Sequence, residues 1–431
     1  MGVRVARLLA FTPLAAALLQ GPITVGQTTI TNEYPERIAF EVRVASAAAN
    51  VETVDLLLTV RGDTTTRSLR ANAVPTRRPI AWVEWDPRPD GVPPGVPVTY
   101  AWKVRDAAGN VFTSPGETFI VEDARFAWRT LEGDDLAVWW YRGDDRFGRS
   151  IFDAANRALD RMRRASTADI DDRLHIVIYA DDESFAGAQD YVQEWVGGRA
   201  YPSMAVTVQV VPPDAEADWI EDVIPHEVAH LFFYQATHTA LSYGPPSWLD
   251  EGYASYHEFS SHHRDLRLVR DAAASGELIP LRLASGSFGV DAARVDLLYA
   301  ESLSAVTFVY EGWGENGMAS LLEALRQGAD LDEALLQVTG LDFEGFQQAW
   351  WEWLGGEPGA YPTPPWEGPA PRTPMPTPTD RPVPPTTTPS PRSDVVFPPF
   401  PICCPLPLAA VAFIGAARVR DRGARRSWHS P

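Results

Sequence analysis

The sequence predicts a multidomain chain: an all-β sandwich, an α+β metal-binding domain, a disordered Pro/Thr-rich stalk and a single C-terminal transmembrane helix. Three observations carry this expectation. Short alternating runs separated by turn residues fill positions 28–123. From Phe126 the pattern becomes mixed, and it encloses His226-Glu227-Val228-Ala229-His230. Proline and threonine crowd positions 357–394, and positions 395–417 then carry no charge.

The composition limits the partners. A chain of 431 residues, 45% hydrophobic, suits two folded domains plus tails. The net charge of −20 argues against nucleic acid as a partner and against anionic lipid binding through the folded part. Lys103 is the only lysine. The two cysteines are adjacent, Cys403 and Cys404, so the expected folded region contains no disulfide and must stand on its hydrophobic cores.

At the N-terminus, Arg4 and Arg7 precede an apolar run from Leu8 to Leu19. The run is too short to span a bilayer comfortably, so positions 1–27 are expected to be an export signal. The strands follow. Phe40, Val42 and Val44 alternate with charged or polar neighbours, Val54 to Val60 is apolar, and Ala81, Val83, Trp85 and Tyr100, Trp102, Val104 alternate again. Arg61-Gly62-Asp63, Pro89-Asp90-Gly91 and Ala108-Gly109-Asn110 supply turns between them. Strands at this spacing over 28–123 suit a small sandwich. The stretch Tyr100–Asn110 is similar to the late strands of fibronectin-III and immunoglobulin-like modules. Arg61-Gly62-Asp63 is also the tripeptide that integrins read, but a Gly-Asp turn between strands explains it more simply.

In the second domain, Leu136–Tyr141, Leu174–Tyr179 and Met204–Val211 read as strands. Phe147, Ile151, Ala155, Leu159 and Met162 fall at helical spacing within 147–164. Helices are also expected over Leu297–Tyr310, Met318–Arg326, Asp332–Val338 and Phe343–Trp353. Ser247 reads as an N-cap, with Asp250 three residues later.

Two imidazoles four apart on a helix lie on one face, close enough to grip one metal ion. A catalytic zinc site takes three protein ligands and leaves a position for water. His226 and His230 supply two, and Glu251, Asp250, His238 and His257 are candidates for the third. Glu251 fits best, because Gly244-Pro245-Pro246 lets the chain reverse and bring the next helix back. Asp250 points about 100° away on that helix. The metzincin arrangement fails, since Ala236 stands where its third histidine would be and Phe233 where its glycine would be. Pro225 must sit in the first helical turn or at a kink, because it lacks an amide donor.

These residues, together with Trp248-Leu249-Asp250-Glu251-Gly252, resemble the gluzincin metallopeptidases, in the clan that holds thermolysin and the M1 aminopeptidases. The peptidase-MA-like group, bacterial relatives with a minimal catalytic domain, is the most similar, over about residues 126–354. The resemblance implies a thermolysin-like zincin fold, a Zn2+ cofactor held by His226, His230 and Glu251, and Glu227 as general base. It also implies a downstream tyrosine that hydrogen-bonds the developing oxyanion, here Tyr299 in Tyr299-Ala-Glu-Ser-Leu-Ser-Ala305. The edge strand that binds substrate backbone would correspond to Ala205–Val211, including Ala205, Val206, Thr207 and Val208.

Two departures matter. The Gly-x-Met-Glu-Asn motif by which M1 aminopeptidases hold a substrate amino terminus is not visible in Gly197–Ala205, which favours an endopeptidase. The aspartate four after the ligand glutamate in thermolysin is Ser255 here.

After the stalk, the uncharged run 395–417 ends at Arg418, Arg420, Arg422, Arg425 and Arg426. That is a stop-transfer pattern, with 418–431 as a cytoplasmic tail. The whole then reads as a membrane-anchored, extracytoplasmic zinc metallopeptidase acting on a peptide or protein. The alternative is a non-catalytic surface binding or adhesion protein that uses the sandwich, with the zincin domain as scaffold.

Overall fold

The computed structural model describes residues 21–165, 168–188, 197–239, 244–259, 263–282, 292–356 and 412–413. Nine strands form the sandwich. They are β1 (Ile23–Glu33), β2 (Arg37–Ser46), β3 (Val51–Val60), β4 (Arg67–Arg70), β5 (Asn72–Ala73), β6 (Ile80–Trp85), β7 (Pro97–Asp106), β8 (Val111–Thr113) and β9 (Glu117–Ile120). One sheet runs β1-β2-β6-β5, the other β4-β3-β7-β8, with β9 also on β7. On β2, Ile38, Phe40, Val42 and Val44 are buried while Arg37, Glu41 and Arg43 are exposed, the period of two that a half-buried strand requires. The sandwich starts earlier than expected. Ile23 and Val25 already pair with Ser46 and Val44, so a boundary at residue 27 would cut through a paired strand.

The second region is built on a mixed sheet. Its strands are β10 (Arg129–Glu132), β11 (Leu136–Trp140), β12 (Leu174–Tyr179), β13 (Gly198–Tyr201) and β14 (Val206–Val210), in the order β10-β11-β12-β14-β13. β11, β12 and β14 are parallel, and β10 and β13 run antiparallel to their neighbours. A two-residue strand, β15 (Ala412–Phe413), pairs with Gly198 and Arg199 on the outer side of β13.

The helices are α1 (Asp145–Ala165), α2 (Asp182–Ala186), α3 (Ala217–Thr237), α4 (Ser247–Tyr256), α5 (His263–Ser275), α6 (Ala292–Arg326), α7 (Leu331–Thr339) and α8 (Phe343–Leu354). α1 buries Phe147, Ile151, Ala155, Leu159 and Met162. α6 is continuous except at Gly314, whose φ of 69° breaks it between the two stretches expected to be separate helices. Asp330 and Glu333 form a capping box at the start of α7, and the Asp342 side chain caps α8.

The sheet has a core on each face. From β12, Leu174, Ile176 and Ile178 join the helices, while Val177 and Tyr179 join the sandwich. Val206, Val208 and Val210 of β14 also face the sandwich. A strand buried on both faces is apolar at nearly every position, and the buried polar exception in β12, His175, has its Nδ1 2.5 Å from the Gly95 carbonyl. The sandwich core therefore extends over one face of β12 and β14.

Residues 1–20, the expected stalk, the cytoplasmic tail and the cysteines lie outside the described residues. So does the expected membrane span, apart from the extended pair Ala412–Phe413. No helix among the described residues is long and apolar enough to cross a membrane.

Candidate metal centre

α3 is buried on every side from Val223 to Phe233. A helix apolar all round belongs in the middle of a core, so the polar groups it carries there need a local reason. His226, Glu227 and His230 are those groups, at 8%, 1% and 1% exposure. The two imidazoles stand one turn apart with ring centroids 4.9 Å from each other.

α4 brings the third residue. His226, His230 and Glu251 each offer a ligand atom, and these atoms lie within 4.8 Å of one another. Among the described residues this is the one such group, and His238 and His257 are outside it. His238 caps the end of α3 beside Thr237, and His257 Nε2 lies 3.2 Å from the Tyr310 hydroxyl.

Ser247 does not cap α4. It is the first helical residue, Pro246 holds the cap position, and Asp250 is used elsewhere. Asp250 does point away from Glu251, and that direction takes it to the other side of His230, with Oδ1 2.5 Å from Nδ1. Glu258 does the same for His226, Oε1 to Nδ1 at 2.9 Å. With each Nδ1–H donating to a carboxylate, the Nε2 atoms are the ones left to face a metal. His226 Nε2 is 3.9 Å from Glu251 Oε2. Glu258 thus supplies the support that Ser255 cannot, three residues further along. Sequence reasoning missed it because it lies beyond the end of α4, where no helical periodicity applies.

Pro225 sits at the ninth position of α3, past the first turn. Lacking an amide hydrogen, it leaves the Glu221 carbonyl without its helical donor. The Phe259 amide takes that carbonyl at 3.1 Å. The vacancy in the helix ladder ties the segment after α4 to α3, and Glu258 is the residue next to that tie.

The electrostatics suit a cation. Burial pushes the Glu227 carboxyl up to about 7, with His226 opposing. Burial also holds Glu251 well above the usual carboxylate range, and Asp250, Glu227 and Glu258 add to it. Burial pulls His226 down, but the Glu258 hydrogen bond and charge more than reverse this, while burial keeps His230 low. Both Glu251 oxygens and Glu227 Oε2 are buried without a hydrogen-bond partner among the described residues. An uncompensated buried carboxylate is costly, and a divalent ion between two imidazoles and a carboxylate removes that cost. The donor set therefore fits zinc.

Glycine makes the wall beside the motif. A Cβ on Gly198 of β13 would collide with the Glu227 carboxylate. β13, not β14, is the strand at this border. The expected substrate strand Ala205–Val211 is interior, bonded to β12 on one side and β13 on the other. Val206 and Val208 point into the sandwich core, Ala205 is packed on the helix side and Thr207 is fully buried. None of the four offers backbone at a free edge.

Tyr299 is half-buried on α6, one turn before Ser302. A Cβ on Gly252 would collide with the Ser302 carbonyl, so α6 passes α4 at backbone contact immediately after Glu251. Tyr299 and Ser302 share that face of α6 by helical spacing.

The sequence family described as the Peptidase MA superfamily matches residues 154–356. No curated protein matches the chain. Among solved structures, a two-domain M1 zinc metallopeptidase mutant bound to L-arginine aligns at 12% identity over 78% of this chain and 95% of its own, with a TM-score of 0.34. The M1 zinc metallopeptidase from Deinococcus radiodurans aligns at 13% over 81% and 97%, with a TM-score of 0.33. A purple acid phosphatase from yellow lupin (Lupinus luteus) seeds aligns at 8% over 37% of this chain, with a TM-score of 0.20, and this chain spans 30% of its length. The Peptidase MA superfamily match spans the whole His226, His230 and Glu251 group, and it supports a zincin-like peptidase in this part of the chain.

Proposed function

We propose that the chain is a zinc-dependent metallopeptidase that hydrolyses peptide bonds, with Glu227 as general base. One observation carries the reading: two supported imidazoles and a buried, unpartnered carboxylate converge within 4.8 Å beside the buried Glu227. His226, His230 and Glu251 would hold the ion. When bound, zinc supplies Lewis acidity towards a carbonyl and acidifies water.

The remaining work falls to this chain's residues. Glu227 takes the proton of the attacking water and returns it to the leaving amine, so no net proton is gained or lost. Tyr299 is the proposed donor to the developing oxyanion. Substrate backbone would lie along the outer edge of β13, in place of the short Ala412–Phe413 pairing. The missing amino-terminus clamp favours internal cleavage over aminopeptidase action. Signal, stalk and anchor would place the enzyme outside the cell on a tether.

The test is a quenched-peptide library with the purified chain. Cleavage should be abolished by chelator and restored by zinc. Glu227→Gln should lower turnover by about 10²–10⁴-fold while metal analysis still finds bound zinc. Turnover by Glu227→Gln at the native rate, or chelator-insensitive cleavage, removes the proposal.

A further inference from the structure

The turn after β3 reaches out of the sandwich and grips the turn that joins β13 to β14. Arg61 Nε donates to the Met204 carbonyl at 2.6 Å, and its two terminal nitrogens donate to Ala205 O and Arg173 O, each at 3.1 Å. Gly62, at φ 86°, passes so close that a Cβ would collide with the Ser203 carbonyl. Three consecutive residues, Ser203, Met204 and Ala205, are thus held by two residues of the sandwich.

The gripped turn needs holding. Ala205 sits at φ 49°, ψ 49°, the one non-glycine residue at positive φ among the described residues. Left-handed backbone costs an L-residue on the order of 1–2 kcal/mol and persists where its surroundings over-determine it. Ala205 O accepts from both Arg61 and the His175 amide, the latter at 3.0 Å. A guanidinium spreads its donors over a rigid planar fork, and an ammonium, whose three donors sit on one nitrogen, does not reproduce that reach. Engaged in this way, the Arg61-Gly62-Asp63 tripeptide is an interdomain contact rather than a display loop.

The consequence runs along β13. Tyr201 ends the strand where the gripped turn begins, and Gly198 at its other end lies against Glu227. We propose that Arg61 is a positioning residue for the candidate site: it sets the turn of the β13–β14 hairpin and thereby the approach of β13 to Glu227. The sandwich then holds, from the opposite face of the sheet, the turn of the hairpin whose strand borders Glu227. The kinetic side of this proposal rests on the peptidase reading, whereas its structural side does not.

The test compares the full chain with Arg61→Ala, Arg61→Lys and, as a control, Tyr34→Phe. The control removes a different interdomain bond, Tyr34 Oη to Ala188 O at 2.8 Å. Hydrogen exchange is read by segment, and kcat and KM are read on the peptide library with zinc content checked. Arg61→Ala should speed exchange in 198–205 by about tenfold or more, with β2 and β3 unchanged. Its kcat/KM should fall by roughly 10–100-fold at full zinc occupancy, because a small misplacement beside the chemistry is enough. Arg61→Lys should fall between Arg61→Ala and wild type on both readouts, and it carries the test if Arg61→Ala does not fold. Tyr34→Phe should leave 198–205 as in wild type. Native exchange in 198–205 for Arg61→Ala overturns the proposal. So does a uniform acceleration across both domains, or the same pattern in Tyr34→Phe. If the wild-type chain cleaves nothing, the peptidase reading fails and the exchange data still decide the clamp.

Discussion

The two faces of the mixed sheet do opposite jobs with the same strands. Towards the sandwich, Val177, Tyr179, Val206 and Val208 build an apolar core, in which Tyr179 bonds Asp123 at 2.7 Å. Towards α3, the neighbouring layer holds Glu227, Asp250 and Glu251 with two histidines, all buried. The first face yields stability by removing apolar surface from water. The second accepts buried charge, which is tolerable only where other parts of the fold supply surplus stability and a cation can be held. The candidate site is a polar island inside the larger, otherwise apolar core on the helix face.

The largest expected contrast is in pH dependence. Glu227 holds its proton up to about 7 when folded, against 4.5 as its ordinary value. Between those values the folded chain binds more protons than the unfolded one, so chelated protein loses stability as pH rises from 4.5 to about 7. At about 1.4 kcal/mol per unit, the loss from Glu227 alone reaches about 3 kcal/mol. Glu251 and His226, both raised, act in the same direction, and His230, lowered, opposes them. Chemical denaturation of the chelated protein across this range measures it, and Glu227→Gln should flatten the slope. Stability that rises with pH would break the contrast.

Removing an orienting carboxylate should come next. Asp250→Ala and Glu258→Ala are each expected to weaken zinc affinity by roughly 10–100-fold with little change in fold. Competition with a chelating dye reads this. On the opposite face, Val177→Ala should cost about 2 kcal/mol of unfolding free energy and leave zinc affinity unchanged. If Val177→Ala weakened zinc binding as much as Asp250→Ala, the two faces would not be separable. The smallest effect belongs to Pro225→Ala. It restores an amide that competes for the Glu221 carbonyl, loosens Phe259 and should reduce zinc affinity a few-fold, within about 1 kcal/mol. Calorimetry on the same preparations resolves it.

What was legible followed from local periodicity. The alternation of Phe40, Val42 and Val44 and the helical spacing from Phe147 to Met162 each place their own side chains, whatever surrounds them. The His226–His230 pair is legible for the same reason. β13 was not. Gly198-Arg-Ala-Tyr201 is too short to show a period, and the apolar run after it reads the same whether the strand is interior or at an edge. The partners of Asp250 and Glu258 were equally hidden, because each meets its histidine across a loop.

Spacing within one helix therefore brings His226, Glu227 and His230 to one neighbourhood without help from the rest of the chain. Which carboxylates stand behind the imidazoles, which strand borders Glu227, and that Arg61 closes on a turn 143 residues away are contacts between distant segments. They depend on how helices and sheets pack, and packing is a property of the assembled core that no single stretch of sequence contains.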